Sequence, residues 1–154
     1  MTKANFKLVM TGAVGALLAL LFNLFFRITF IQGYSMEDTF ENKQVCVSTP
    51  VYSELSVGDV VVAQSEVLGQ VIIKRIIACP GDIIEIRDNV VYVNGEVLPE
   101  PYLKESMVTA NIYIKLANDE YFLCGDNRNN SLDSRTEFVG PIKEEEILYR
   151  VLTK

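Results

Sequence analysis

The chain has 154 residues, 49% of them hydrophobic, a formal net charge of −6 and no histidine. The missing imidazole excludes every Ser-His-Asp and Cys-His device. The negative balance deepens to −9 over residues 28–154 once Lys3, Lys7 and Arg27 are set aside, which argues against nucleic acid as a partner. Cys46, Cys79 and Cys124 are an odd number with no CxxC or Cys/His ligand spacing, so no metal or cofactor is expected; each reads as a buried thiol, one disulfide staying open as the alternative.

Lys3 and Lys7 precede an uncharged run, Leu8 to Phe26, of 19 residues interrupted only by Thr11 and Asn23 among clearly polar groups. A helix needs roughly 20 apolar residues to cross a bilayer. A cleavable leader has a shorter apolar region ending in a small-residue site, whereas Arg27-Ile28-Thr29-Phe30-Ile31 follows here. The expected division is a cytoplasmic N-terminus at 1–7, a transmembrane anchor at 8–30 and an extracytoplasmic β-rich domain at 31–154, oriented by the two N-terminal lysines. Roughly 125 residues outside the anchor suffice for one domain with its own core.

From Ile31 onward, short β-like runs are bounded by Gly, Asn, Asp and Pro: 44–48, 59–63, 70–78, 83–87, 90–93, 111–116, 121–124 and 147–152. Asp88-Asn89 and Asn94-Gly95 read as tight hairpin turns. The fold class is mainly β, a barrel or sandwich-like domain behind one N-terminal transmembrane helix. In the run Val71-Ile72-Ile73-Lys74-Arg75-Ile76-Ile77, alternation places Lys74 with Ile72 and Ile76, and Arg75 on the opposite face. A lysine buried among isoleucines loses protonation and becomes a base. Ser35, in Gly33-Tyr34-Ser35-Met36, lies about nine residues beyond the apolar run, near the outer membrane face, where a nucleophilic hydroxyl without histidine must pass its proton to a carboxylate or to such an amine.

A third motif spans Gly125-Asp126-Asn127-Arg128-Asn129-Asn130-Ser131-Leu132-Asp133-Ser134-Arg135. Together with Ser35-Met36, Gly58-Asp59-Val60 and Lys74-Arg75 followed by Pro80-Gly81-Asp82, it resembles, in order, the motifs of the bacterial type I signal peptidases. The resemblance covers nearly the whole chain. It implies a Ser/Lys membrane protease that removes signal peptides from exported proteins, with a signal-peptidase-like β fold and no cofactor or metal. By this resemblance Ser35 is the nucleophile and its main-chain amide an oxyanion donor, Lys74 is the general base, and Ser131 orients the lysine. Asp133, Arg135 and Asp126 give structural support. Apolar pockets for small side chains would be lined by Ile31, Met36, Phe40, Ile72 and Ile73. Implied partners are signal peptides of preproteins, the lipid bilayer and the export machinery, with the protein in the cell membrane as a single-pass chain.

Only about 40 residues separate the lysine motif from Gly125, so the chain resembles the compact members of the family, whose larger members insert a second β domain there. One departure from the pattern is Asp38, where the family has proline; near Lys74 an acid would favour the protonated amine. That departure supports an alternative, a non-catalytic or specialised assembly factor on the same fold; retention of Ser35, Lys74 and Ser131 counts against it.

Overall fold

The computed structural model describes residues 3–37, 39–51 and 53–152; Asp38 therefore lies outside the described residues. Helix α1 covers Lys3–Phe25, and the stretch Lys7–Phe25 is long and apolar enough to cross a membrane. Its two polar interruptions are satisfied within the helix: Thr11 Oγ1 donates to the Lys7 carbonyl at 3.0 Å and Asn23 Nδ2 to that of Ala19 at 2.9 Å. Internal pairing of this kind is what hydrocarbon surroundings demand of a polar side chain.

Phe26 alone separates α1 from strand β1, Arg27–Phe30, so the helix ends before residue 30 and the last residues of the expected anchor stretch are extended. The remaining strands are β2 (Val45–Pro50), β3 (Val60–Ser65), β4 (Gln70–Ala78), β5 (Ile83–Arg87), β6 (Val90–Val93), β7 (Glu96–Val97), β8 (Ile112–Lys115), β9 (Glu120–Cys124), β10 (Ile142–Lys143) and β11 (Ile147–Val151). They form a seven-stranded sheet in the order β1-β2-β11-β3-β4-β9-β10 and a four-stranded sheet in the order β7-β6-β5-β8. The described strand pairs are antiparallel. The expected mainly β fold is present, and the eight anticipated runs coincide with strands to within two residues at each end.

The tight turns follow from local chemistry. Asp88 and Asn89, both at positive φ (50° and 63°), close the β5–β6 hairpin, and Asn94 and Gly95 (53° and 84°) close β6–β7. Two successive left-handed residues give a turn whose twist matches the strands it joins.

Three apolar clusters hold the domain. One packs Ile72 and Ile76 of β4 with Leu123, Val139 and Ile142. A second lies between the two sheets and contains Ile77, Ile84, Ile86, Val91 and Phe122. The third gathers Ile31, Met36 and Phe40 with Val60 and Val62, anchoring the loop that carries Ser35. Ile76, Ile77 and Phe122 are wholly buried, each contributing about 1.5–3 kcal/mol. All three cysteines are thiols, and each packs with a different cluster: Cys79 with the first, Cys124 in the second, Cys46 in the third.

Candidate active site

The loop from β1 to β2 is pinned on both sides of Ser35. Ile31 exchanges main-chain hydrogen bonds with the 43–44 turn, its amide donating to Gln44 O and its carbonyl accepting from Lys43 N, each at 2.9 Å. On the other side, Thr39 and Phe40 donate to the Met36 carbonyl. Ile31 and Met36 are each only 2% exposed, so the serine sits between two buried anchors. Gly33 holds φ at +92°, where a side chain is strained, and its amide donates to Asn42 Oδ1. The glycine thus supplies a positive-φ turn two residues before Ser35.

Lys74 comes from the middle of β4, opposite Val61 of β3. Alternation sends it to the side of Ile72 and Ile76, as the pattern predicts. Its Nζ and Ser35 Oγ are hydrogen-bonded at 2.6 Å. The residue is 4% exposed. Burial lowers the amine's pKa below its ordinary 10.5, aided by Arg135; Asp133, Cys124 and Asp126 pull the other way. Desolvation prevails, and a neutral amine can take a hydroxyl proton.

The loop after β9 supplies the rest. Asp133 accepts from the Gly125 amide at 2.9 Å and forms two hydrogen bonds, each 2.8 Å, with Arg135. Burial alone would raise the Asp133 carboxyl, but hydrogen bonding and the charge of Arg135 hold it below the usual carboxylate range. Arg135 in turn donates to the Arg128 carbonyl at 2.7 Å. The Ser131 hydroxyl is buried and makes no hydrogen bond of ordinary length, to Lys74 or otherwise, among the described residues. It lies beside Gly125, close enough to Asp133 to help hold the carboxylate.

Asp126 faces the opposite side of β4. Arg75 donates to it through Nε at 2.8 Å and through Nη2 at 2.6 Å, a two-pronged pair with side chains 9% and 0% exposed. A further Arg75 bond reaches the Gly58 carbonyl at 2.7 Å, and Thr39 Oγ1 donates to Asp126. The Asn127 amide donates to the Ser35 carbonyl at 3.0 Å, so this loop fixes the main chain of the serine directly.

A cleft of about 460 Å³ opens beside the pair. Ile31, Met36, Ile72 and Ile73 line it together with Ser35 and Lys74. Phe40, expected in the same pocket, is 4% exposed and packs in the third cluster away from the cleft wall. Thr29 and Phe30 also take part in the lining, beyond the sequence expectation, because β1 reads in sequence as the end of an apolar helix; Leu132, from the loop after β9, joins them. Gly125 has a part in the site that its residue type alone does not reveal. A Cβ there would stand 2.3 Å from Ser131 Oγ and 2.4 Å from the Ser35 carbonyl oxygen. Its place at the head of the third motif was the available signal.

The family model described as signal peptidase, peptidase S26, matches residues 4–153. The chain belongs to this family. It is 32% identical over 144 residues to signal peptidase I of Bacillus licheniformis, covering 84% of this chain and 77% of that one. It is 33% identical over 149 residues to signal peptidase I T of Bacillus subtilis strain 168, covering 88% and 77% respectively. The crystal structure of a signal peptidase I from Enterococcus faecalis V583 superposes with a TM-score of 0.57 at 30% identity, covering 66% of this chain and 98% of that one. A signal peptidase family member without histidine must draw its base from another residue, and within this cleft the amine of Lys74 is the group in hydrogen-bonding contact with Ser35.

Proposed function

We propose that the protein is a serine endopeptidase that removes N-terminal signal peptides from exported proteins, with Ser35 as nucleophile and Lys74 as general base. The observation that carries this reading is the 2.6 Å contact between a buried lysine amine and a serine hydroxyl at the edge of a cleft with isoleucines in its wall. Neutral Lys74 takes the Ser35 proton as Oγ attacks the scissile carbonyl, and the Ser35 amide donates to the oxyanion. The ammonium returns the proton to the leaving amine, freeing the mature chain and leaving an acyl ester on Ser35. Lys74 then deprotonates a water, which attacks that ester; the signal peptide leaves as a carboxylic acid and Ser35 recovers its proton.

The positioning roles follow from the contacts. Ser131, Asp133 and Arg135 set the surroundings of the amine, while Asp126 and Arg75 hold the loop that fixes the serine main chain. Ile31, Met36, Ile72 and Ile73 favour small apolar side chains next to the cut. Helix α1 serves as a single-pass anchor with the lysine-bearing end cytoplasmic and the domain outside, so the bilayer and the export machinery are the neighbours. The intact Ser35–Lys74 contact speaks against the non-catalytic assembly role.

The test is incubation of the full chain in detergent with a preprotein bearing an Ala-x-Ala site, alongside the Ser35→Ala and Lys74→Ala variants. Mass spectrometry should find the mature N-terminus with the wild type only. Equal release by either folded variant would rule out the Ser/Lys pair.

A further inference from the structure

Between β7 and β8 the chain runs through an irregular connector that wraps the loop following β9, and two arginines of the site converge on one of its side chains. Arg75 Cζ stands 4.2 Å from the ring centroid of Tyr102, and Arg128 Cζ stands 5.9 Å from it. The Tyr102 hydroxyl donates to Glu100 Oε1 at 2.8 Å, and Glu100 accepts two hydrogen bonds from the Arg128 guanidinium. Arg128 also reaches Met107 Sδ at 3.8 Å and donates through Nε to the Gly125 carbonyl at 3.0 Å. Its side chain is 1% exposed and that of Glu100 is 11% exposed, so this is a buried staple.

From Tyr102 two chains of contact run to the reacting atoms. One passes through Arg75 to Asp126, whose neighbour Asn127 donates to the Ser35 carbonyl. The other passes through Arg128, whose carbonyl accepts from Arg135; Arg135 holds Asp133, the strongest charged influence on Lys74. A cation over an aromatic face is attracted to it, more strongly when water is excluded, and here one ring serves two guanidinium groups.

We propose that Tyr102 is a positioning residue for the Ser35–Lys74 pair: its ring, backed by Glu100, ties the connector to Arg75 and Arg128 and so fixes the serine and lysine sides of the site together. The inference rests on the peptidase reading given above and adds a residue outside the motifs of that site. Without the ring, the loop from Gly125 to Arg135 loosens. Water then reaches Lys74 more readily among its charged and titratable neighbours Asp133, Cys124, Arg135 and Asp126, so the amine regains protons.

The experiment compares full-chain Tyr102→Leu, Tyr102→Phe and Glu100→Gln with wild type, measuring kcat and KM on a preprotein across pH and amide hydrogen exchange over residues 125–135. Tyr102→Leu should lower kcat about tenfold with KM changed less than about twofold, and move the acid limb of the profile to higher pH. Tyr102→Phe keeps the ring and should stay close to wild type. Exchange should quicken in the leucine variant and not in the phenylalanine one. Glu100→Gln should show the same changes in smaller degree, and carries the comparison if Tyr102→Leu does not fold. Unchanged kcat, pH limb and exchange in the variants that lack the ring or the carboxylate would overturn the inference, as would equal losses in Tyr102→Phe and Tyr102→Leu. Quickened exchange in a protein whose wild type cleaves no preprotein would instead count against the peptidase reading and leave the staple standing.

Discussion

Gly125 and Ser35 approach so closely that a single added carbon at the glycine would lie 2.4 Å from the serine carbonyl oxygen. That oxygen is main chain and cannot swing aside, and on the other flank the carbon would meet Ser131 Oγ at 2.3 Å and Cβ at 2.7 Å. The glycine is required for space, since its φ is not in the left-handed region. Gly125→Ala should therefore displace the serine from the lysine. We expect a loss of stability of about 1–3 kcal/mol and a fall in kcat far larger than that loss explains. Thermal unfolding and steady-state cleavage of a preprotein check both.

The buried amine sets the pH dependence. With Lys74 as the proposed general base, cleavage requires its amine neutral, so the rate should rise with pH through a pKa below the ordinary lysine value of 10.5. Stability changes in the same direction. Between the depressed folded pKa and 10.5, the unfolded chain binds more protons than the folded one, so the contribution of Lys74 to stability grows with pH. The stability of Lys74→Met relative to wild type should thus decline as pH rises through that window. Chemical denaturation of both proteins at several pH values measures it.

Asp133 behaves in the opposite sense. Its folded pKa lies below 3.8, so its contribution is present above 3.8 and is lost as pH falls through the folded value. Asp133→Asn leaves the Arg135 guanidinium, with 6% of its side chain exposed, without its carboxylate and should cost about 3 kcal/mol at neutral pH. The same change removes a charge that favours protonated Lys74, so the acid limb of whatever activity remains should move to lower pH. A limb that stays in place would show that Asp133 acts on the fold alone.

Arg75→Lys tests the other side of β4. A lysine cannot reproduce the two-pronged bond to Asp126 together with the bond to the Gly58 carbonyl. A loss of roughly 2–3 kcal/mol is expected from one unmet buried carboxylate oxygen. Urea unfolding of the variant gives the figure.

Much of this site is readable before any coordinates. The central strand is marked by isoleucines flanking Lys74-Arg75, and its alternation alone separates the two cations onto different faces. The hairpin turns are marked by Asp88-Asn89 and Asn94-Gly95, whose residue types tolerate positive φ. The limits have physical causes. Strands β7 and β10 are two residues long and have no period to detect. Strand β1 follows the apolar helix after one residue, and Ile28 and Phe30, both exposed, blend into its hydropathy. Phe40 sits close to Ser35 in sequence, but the turn at Met36 directs it inward to the third cluster. Glu100 and Met107, the side chains that meet the Arg128 guanidinium, lie more than 20 residues away in a connector without regular structure, so no local pattern announces them.

The distribution of the thiols has a consequence for maturation. Cys46, Cys79 and Cys124 each belong with a different cluster, and burial raises the pKa of Cys79 to about 11, away from the reactive thiolate. Among the described residues no disulfide links these thiols, so the domain should fold equally well in reducing and oxidising surroundings.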